Sequence, residues 1–125
     1  MIDLDLFKRI NDTYGHVNGD KALLELTSHL NKIESKNIKA YRFGGEEFIV
    51  VTRNLDISKV YSIIDKMRKN FGNIKHSYLN NESITFSAGI CKYDGTSEIS
   101  KWIEKSDEAL YQAKTEGRNR VIIYK

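Results

Sequence analysis

The chain contains no proline, one cysteine and no long apolar run. Lacking proline, it must build its turns from Gly, Asn, Asp and Ser. With Cys91 alone, an internal disulfide framework is impossible, and a reducing compartment is the simpler setting. No segment approaches the ~18 apolar residues that span a bilayer. The opening residues also lack the pattern of a secretory leader. A strong excess of one charge is missing too: 20 Lys and Arg stand against 17 Asp and Glu, a net charge of +3, with no long basic run. A nucleic-acid surface needs its cations massed on one face, so nucleic acid is not expected as a partner. A polyphosphate would be served by two or three placed cations. Repeats and low-complexity stretches are absent.

What remains suits one compact domain over residues 1–125: 40% of residues are hydrophobic and 30% charged. Met1 to Asp5 reads as the end of a buried strand with no turn or cap before it, which suggests that the native chain continues upstream. Leu6 to about Tyr14 is a short helical stretch broken at Gly15. Asn18-Gly19-Asp20 is expected to cap a longer helix, with Ala22, Leu23, Leu26, Leu30 and Ile33 on its apolar side. Lys39–Phe43 and Phe48–Thr52 flank Gly44-Gly45 and read as a hairpin. A third helix, capped by Asp56 or Ser58, buries Val60, Ile63, Ile64, Met67 and Phe71. Residues 72–82 read as a loop or small hairpin, and Ser83–Tyr93 as a buried strand. A fourth helix runs from about Ser97 to Thr115 and stops at Gly117. Val121–Tyr124 closes as a strand. The order β, α, α, β, β, α, β, α, β predicts an α+β fold. Its central sheet is mostly antiparallel, with helices on its faces in a ferredoxin-like arrangement.

Two acidic pairs stand at strand ends. Asp3 and Asp5 are expected to point to opposite sides, one into a site and the other away. Glu46 and Glu47 follow the glycine turn and also point apart. A strand-end aspartate beside a hairpin glutamate offers the hard oxygen ligands that Mg²⁺ takes, with water and phosphate completing the shell. Taken singly, each acid is explained as well by solvation. Gly44 and Gly45 let backbone approach a ligand closely. Lys114 and Arg118, at a helix end, and Lys8 are candidate phosphate cations, although a helix dipole alone accounts for the first two.

Four blocks, in order, resemble the GGDEF family of diguanylate cyclases. They are Ile2 to His16; Gly19-Asp20; Arg42-Phe43-Gly44-Gly45-Glu46-Glu47-Phe48, in the GGEEF form; and Ala109 to Asn119. The resemblance implies condensation of two GTP into cyclic di-GMP and two pyrophosphates. It implies Mg²⁺, with Mn²⁺ as a substitute, and a homodimer of facing domains. Asp3, the backbone carbonyl of Leu4, and Glu46 would hold metal. Glu47 would be a further ligand or would activate the 3′-hydroxyl. Asn11 and Asp20 would read guanine, and Phe7 and His16 would shape the pocket. Lys8, Lys114 and Arg118 would hold phosphates, and Gly44 and Gly45 would lie against the nucleotide. The family's setting implies a cytoplasmic domain with an upstream sensory or regulatory module, in a parent that a segment outside this chain could anchor to a membrane.

Two departures stand out. The Arg-x-x-Asp motif that binds inhibitory product is replaced at Ser35 and Ile38, so that site is expected to be absent. The family's leading helix and Leu-Thr turn have no counterpart here, which is expected to expose core surface and weaken phosphate binding. The competing readings are a silent GTP-binding regulatory domain and a cyclase making a mixed dinucleotide. Retention of Asp3, Glu46 and Glu47 argues against the first, and Asp20, suited to guanine's donor edge, against the second.

Overall fold

The computed structural model describes residues 1–125. The elements follow the order β1 (Ile2–Leu4), α1 (Phe7–Tyr14), α2 (His16–Ile33), β2 (Ile38–Gly44), β3 (Glu47–Thr52), α3 (Ile57–Gly72), β4 (Phe86–Ile90), α4 (Ile99–Thr115) and β5 (Val121–Ile123). The five strands form one sheet in the order β2-β3-β1-β4-β5. Every pairing is antiparallel except that of β4 with β5. The expected α+β, ferredoxin-like architecture is therefore present, with β5 added parallel at one edge.

Side-chain alternation along the strands separates two faces. Ile2, Leu4, Phe48, Phe86, Ala88 and Val121 point to one face and join Leu26 and Leu30 of α2 and Ile64, Met67 and Phe71 of α3 in a single buried cluster. Phe71 meets Phe86 with ring centroids 5.8 Å apart. Burying each such side chain stabilises the fold by about 1.5–3 kcal/mol. The opposite face carries α4. There a Cβ on Gly89 would strike the backbone of Ser106 and Leu110, so glycine is what lets α4 lie directly on β4.

Two local expectations are corrected. The first concerns the start of α2. The helix begins at His16, so Asn18, Gly19 and Asp20 lie inside its first turns and do not cap it. Gly15, at φ 86°, makes the whole break between α1 and α2, and the Asn18 side-chain amide donates back to the Tyr14 carbonyl at 2.8 Å. The second concerns strand extent. The Ser83–Tyr93 stretch contributes only Phe86–Ile90 to the sheet. Before it, residues 72–82 contain a short 3₁₀ turn, Ser77–Leu79, closed by a bridge between His76 and Glu82. Asp56 does stand at the start of α3, without a side-chain capping bond. No helix is long and apolar enough to cross a membrane.

Candidate active site

Sheet register builds the first half of the site. Asp3 pairs across with Glu47 on β3 and with Ser87 on β4. Residues directly opposite in a sheet point to the same face, so Glu47, Asp3 and Ser87 form a row on the side covered by α4. Glu46 sits at the adjoining turn, where its carbonyl accepts the Leu4 N–H at 3.4 Å. Like charges placed side by side in a sheet are destabilising, and the row retains them.

From α4, Lys114 reaches over the row. Its Nζ lies 3.1 Å from Asp3 Oδ2 and 4.0 Å from Asp5 Oδ1. Asp3 and Asp5 therefore share a side, contrary to the expectation that they diverge; residues two apart on extended chain have that relation. Their difference is in exposure. Asp5 is buried and fully engaged, accepting from the Thr85 and Ser87 hydroxyls at 2.7 Å each and from the Asn119 N–H at 3.0 Å. Asp3 has a buried Oδ1 with no partner.

This crowding alters the acids. Burial pushes the Asp3 carboxyl up to about 6, against the pull of Lys114 and with help from Glu46 and Glu47. Glu47 is also raised, by burial first and then by Asp107 and Glu46. Asp107, on α4, is an acid at the site that sequence reading did not single out. No cluster of three or more His, Cys, Asp or Glu forms a ready metal cage. Mg²⁺ does not require one, since one or two carboxylates with water and phosphates satisfy it. An orphaned buried oxygen on Asp3, among acids whose mutual repulsion a cation would relieve, fits that ion.

The second half of the site is the corner of α1 and α2. Gly19 is buried in this corner, and a Cβ there would collide with the Asn11 side chain and touch Phe7. Glycine thus allows α2 to close on α1 and brings Asn11 and Phe7 together beside Asp20. Asn11 Oδ1 is buried without a hydrogen-bond partner. His16, Asp20 and Lys8 are exposed on the same two helices. Leu6, at φ 56°, turns the chain from β1 into α1, which links this corner to the acidic row.

The glycine hairpin completes the rim. Gly45 has φ 50°, and no atom lies within 4 Å of where a Cβ would stand on either Gly44 or Gly45. The turn is tied by Arg42, whose guanidinium donates twice to the Gly45 carbonyl, at 3.1 and 2.7 Å. Arg118 lies just past α4 and is exposed at φ 64°. A larger apolar cavity of about 300 Å³, lined by Ile2, Ile49, Val60, Ile90, Ile99 and Trp102 among others, includes none of the acids.

Together the mostly antiparallel sheet and this acidic row under a lysine define a ferredoxin-like α+β domain with its charged groups gathered on the central strands, on the face that α4 covers. The chain belongs to the GGDEF domain family, whose profile, described as "Diguanylate cyclase, GGDEF domain", matches residues 1–120. It is 39% identical over its whole length to diguanylate cyclase A of Treponema denticola and 35% identical over 98% of its length to diguanylate cyclase DgcM of Escherichia coli. It spans about a third of the length of these curated relatives (34% and 29%). Among solved structures it resembles the active GGEEF domain of a diguanylate cyclase from Vibrio cholerae, with a TM-score of 0.91 and 37% identity over 99% of this chain and 80% of that one. It also resembles the GGDEF domain of DgcB from Caulobacter crescentus in complex with c-di-GMP, with a TM-score of 0.90 and 32% identity over 98% of this chain and 74% of that one.

Proposed function

We propose that residues 1–125 form one catalytic domain that binds GTP and, facing a second copy, condenses two GTP into cyclic di-GMP. The observation that carries this reading is the convergence of Asp3 and Glu47 in register, beside Glu46 and under Lys114. Acids and an amine are both needed at a nucleoside triphosphate, the acids for its metal and the amine for its charge.

Asp3, the Leu4 carbonyl and Glu46 would hold Mg²⁺ or Mn²⁺, with Glu47 as a further ligand or as the acceptor of the 3′-hydroxyl proton. The ion, when bound, supplies charge stabilisation at the phosphates. Asn11 and Asp20 bind the guanine edge: a carboxylate accepts from N1–H and the 2-amino group, and an amide serves a neighbouring atom. Phe7 and His16 wall the base. Lys114 exchanges Asp3 for phosphate on its flexible stem, and Arg118 and Lys8 hold the terminal phosphates. Gly44 and Gly45 leave the backbone open to the nucleotide. The 3′-oxygen of one GTP attacks the α-phosphorus of the other as the α–β bridging bond breaks. Two such displacements close the ring and release two pyrophosphates. The protein contributes positioning and electrostatics. We place the domain in the cytoplasm, where GTP is available, under an upstream regulatory module.

The test is to incubate the full-length protein with GTP and Mg²⁺ and to identify the products, beside a Glu46→Ala control. Cyclic di-GMP and pyrophosphate, lost in the control, are expected. GTP binding without product would make this a regulatory GTP-binding domain instead. We further expect no product inhibition through the Ser35 position. Ile38 is buried and apolar, and Ser35 offers only a short hydroxyl that accepts the Asn37 N–H at 3.2 Å, so the guanidinium and carboxylate of the motif have no replacement. Initial rates should be unchanged by added cyclic di-GMP; saturable binding abolished by Ser35 substitution would refute this.

A further inference from the structure

One exposed loop residue, Asn119, is gripped from two directions. Its N–H donates to Asp5 Oδ2 at 3.0 Å and to Ser87 Oγ at 3.1 Å. Its carbonyl and side-chain oxygens accept from Arg68 Nη1 at 3.1 and 2.8 Å. Arg68 stands on α3 and is itself fixed by Asp65, with Nε 2.8 Å from Oδ1. Asp5 is fixed in turn by the Thr85 and Ser87 hydroxyls. A buried carboxylate, a fully buried serine and an ordered arginine thus converge on a loop that carries no core side chain.

What the loop needs is conformational restraint. Arg118 and Asn119 follow one another at φ 64° and 48°. Asparagine adopts that region readily, whereas arginine does so only against the clash of its Cβ with the following carbonyl oxygen, so an unheld loop would relax at Arg118. The Arg118 N–H closes on the Ala113 carbonyl at 2.9 Å, which sets the root of the Arg118 side chain next to Lys114.

We propose that Asp5, Ser87 and Arg68 are positioning residues that act through Asn119 to aim Arg118 at the terminal phosphates of the bound nucleotide. The proposal rests on the GTP-binding reading above and adds to it three residues that touch no substrate. It differs in sign from a purely electrostatic role. Asp5 places negative charge beneath an anion site, and loss of the clamp by uncharged Ser87→Ala leaves that charge in place.

The experiment uses the full-length protein and two probes, 3′-deoxy-GTP, which lacks the attacking hydroxyl, and GMP, which lacks the terminal phosphates. Affinities are measured calorimetrically with Mg²⁺ fixed. Arg68→Ala and Ser87→Ala should each weaken 3′-deoxy-GTP binding by about tenfold and leave GMP within about twofold. In an Arg118→Ala background, Arg68→Ala should have no added effect, because residues acting through one another are not additive. Unchanged or tighter 3′-deoxy-GTP binding in both variants would overturn the proposal. So would equal losses for GMP, the signature of a general folding defect, or full additivity with Arg118→Ala. Failure of the unmodified protein to bind 3′-deoxy-GTP would instead remove the GTP reading, and the clamp's purpose with it.

Discussion

At Asp3, burial and two neighbouring glutamates outweigh the Lys114 ammonium and hold the carboxyl up at about 6 instead of its ordinary 3.8. The folded chain therefore keeps a proton there that the unfolded chain has released. Between those two values, raising the pH takes away a proton that the native state binds more tightly, so stability falls as pH rises. Above about 6 the penalty is fully present. In the absence of divalent cations, Asp3→Asn should be more stable than the unmodified protein at pH 7, and the difference should vanish toward pH 4. Thermal midpoints across that range give the answer; an Asp3→Asn variant less stable than the parent at pH 7, with the deficit closing toward acid, would mean that the Lys114 pair outweighs burial. His76 carries the opposite sign. It is buried with Nε2 unpaired, and burial lowers its pKa, so it contributes stability above its ordinary 6.5 and loses it as pH falls. The Asp3 comparison is accordingly made as variant against parent at each pH, which cancels His76.

At the scale of elements, the site depends on how closely α4 lies on β4. Lys114 reaches Asp3 only because the helix axis approaches a strand that has no side chain at Gly89. Gly89→Ala should push α4 outward, costing about 1–3 kcal/mol as overpacking and lowering the urea midpoint. Under the proposed GTP-binding role, triphosphate affinity should fall as well, as Lys114 is carried away from the row. An unchanged midpoint would show that α4 adjusts without strain. Much at this scale was legible in the sequence. The 3.6-residue spacing of Leu23, Leu26 and Leu30 placed a helix face that is buried as expected, and the paired glycines marked a hairpin that forms. The start of α2 was misread because Asn18-Gly19-Asp20 has the composition of a cap, whereas Gly19 is needed for close packing against Asn11 and Phe7. Local composition records both demands identically; only the approach of α1 separates them. The clamp on Asn119 was invisible for a related reason. Arg68, Ser87 and Asp5 lie 51, 32 and 114 residues away in sequence, and no periodicity encodes their meeting. The lone hint was a second aspartate at Asp5, two along from Asp3 on an extended strand.

At the scale of the whole molecule, one domain presents one acidic row, Glu47 opposite Asp3, and one α1–α2 corner. Under the proposed chemistry each row serves one α-phosphorus, and the attacking hydroxyl must come from the nucleotide of a facing copy. Such an arrangement is two-fold symmetric, each subunit using the same patch. It follows that a pair with one defective row completes at most one of the two displacements. Co-expressing the full-length protein with its Glu46→Ala form at equal levels should leave about a quarter of pairs with two intact rows, by random association of two equivalent subunits. Cyclic di-GMP formation per total chain should then drop to about a quarter of the unmodified rate, while a linear dinucleotide from a single displacement should accumulate. A fall to only about half, with no linear product, would mean that each chain works independently of its partner and that the two-domain mechanism is wrong.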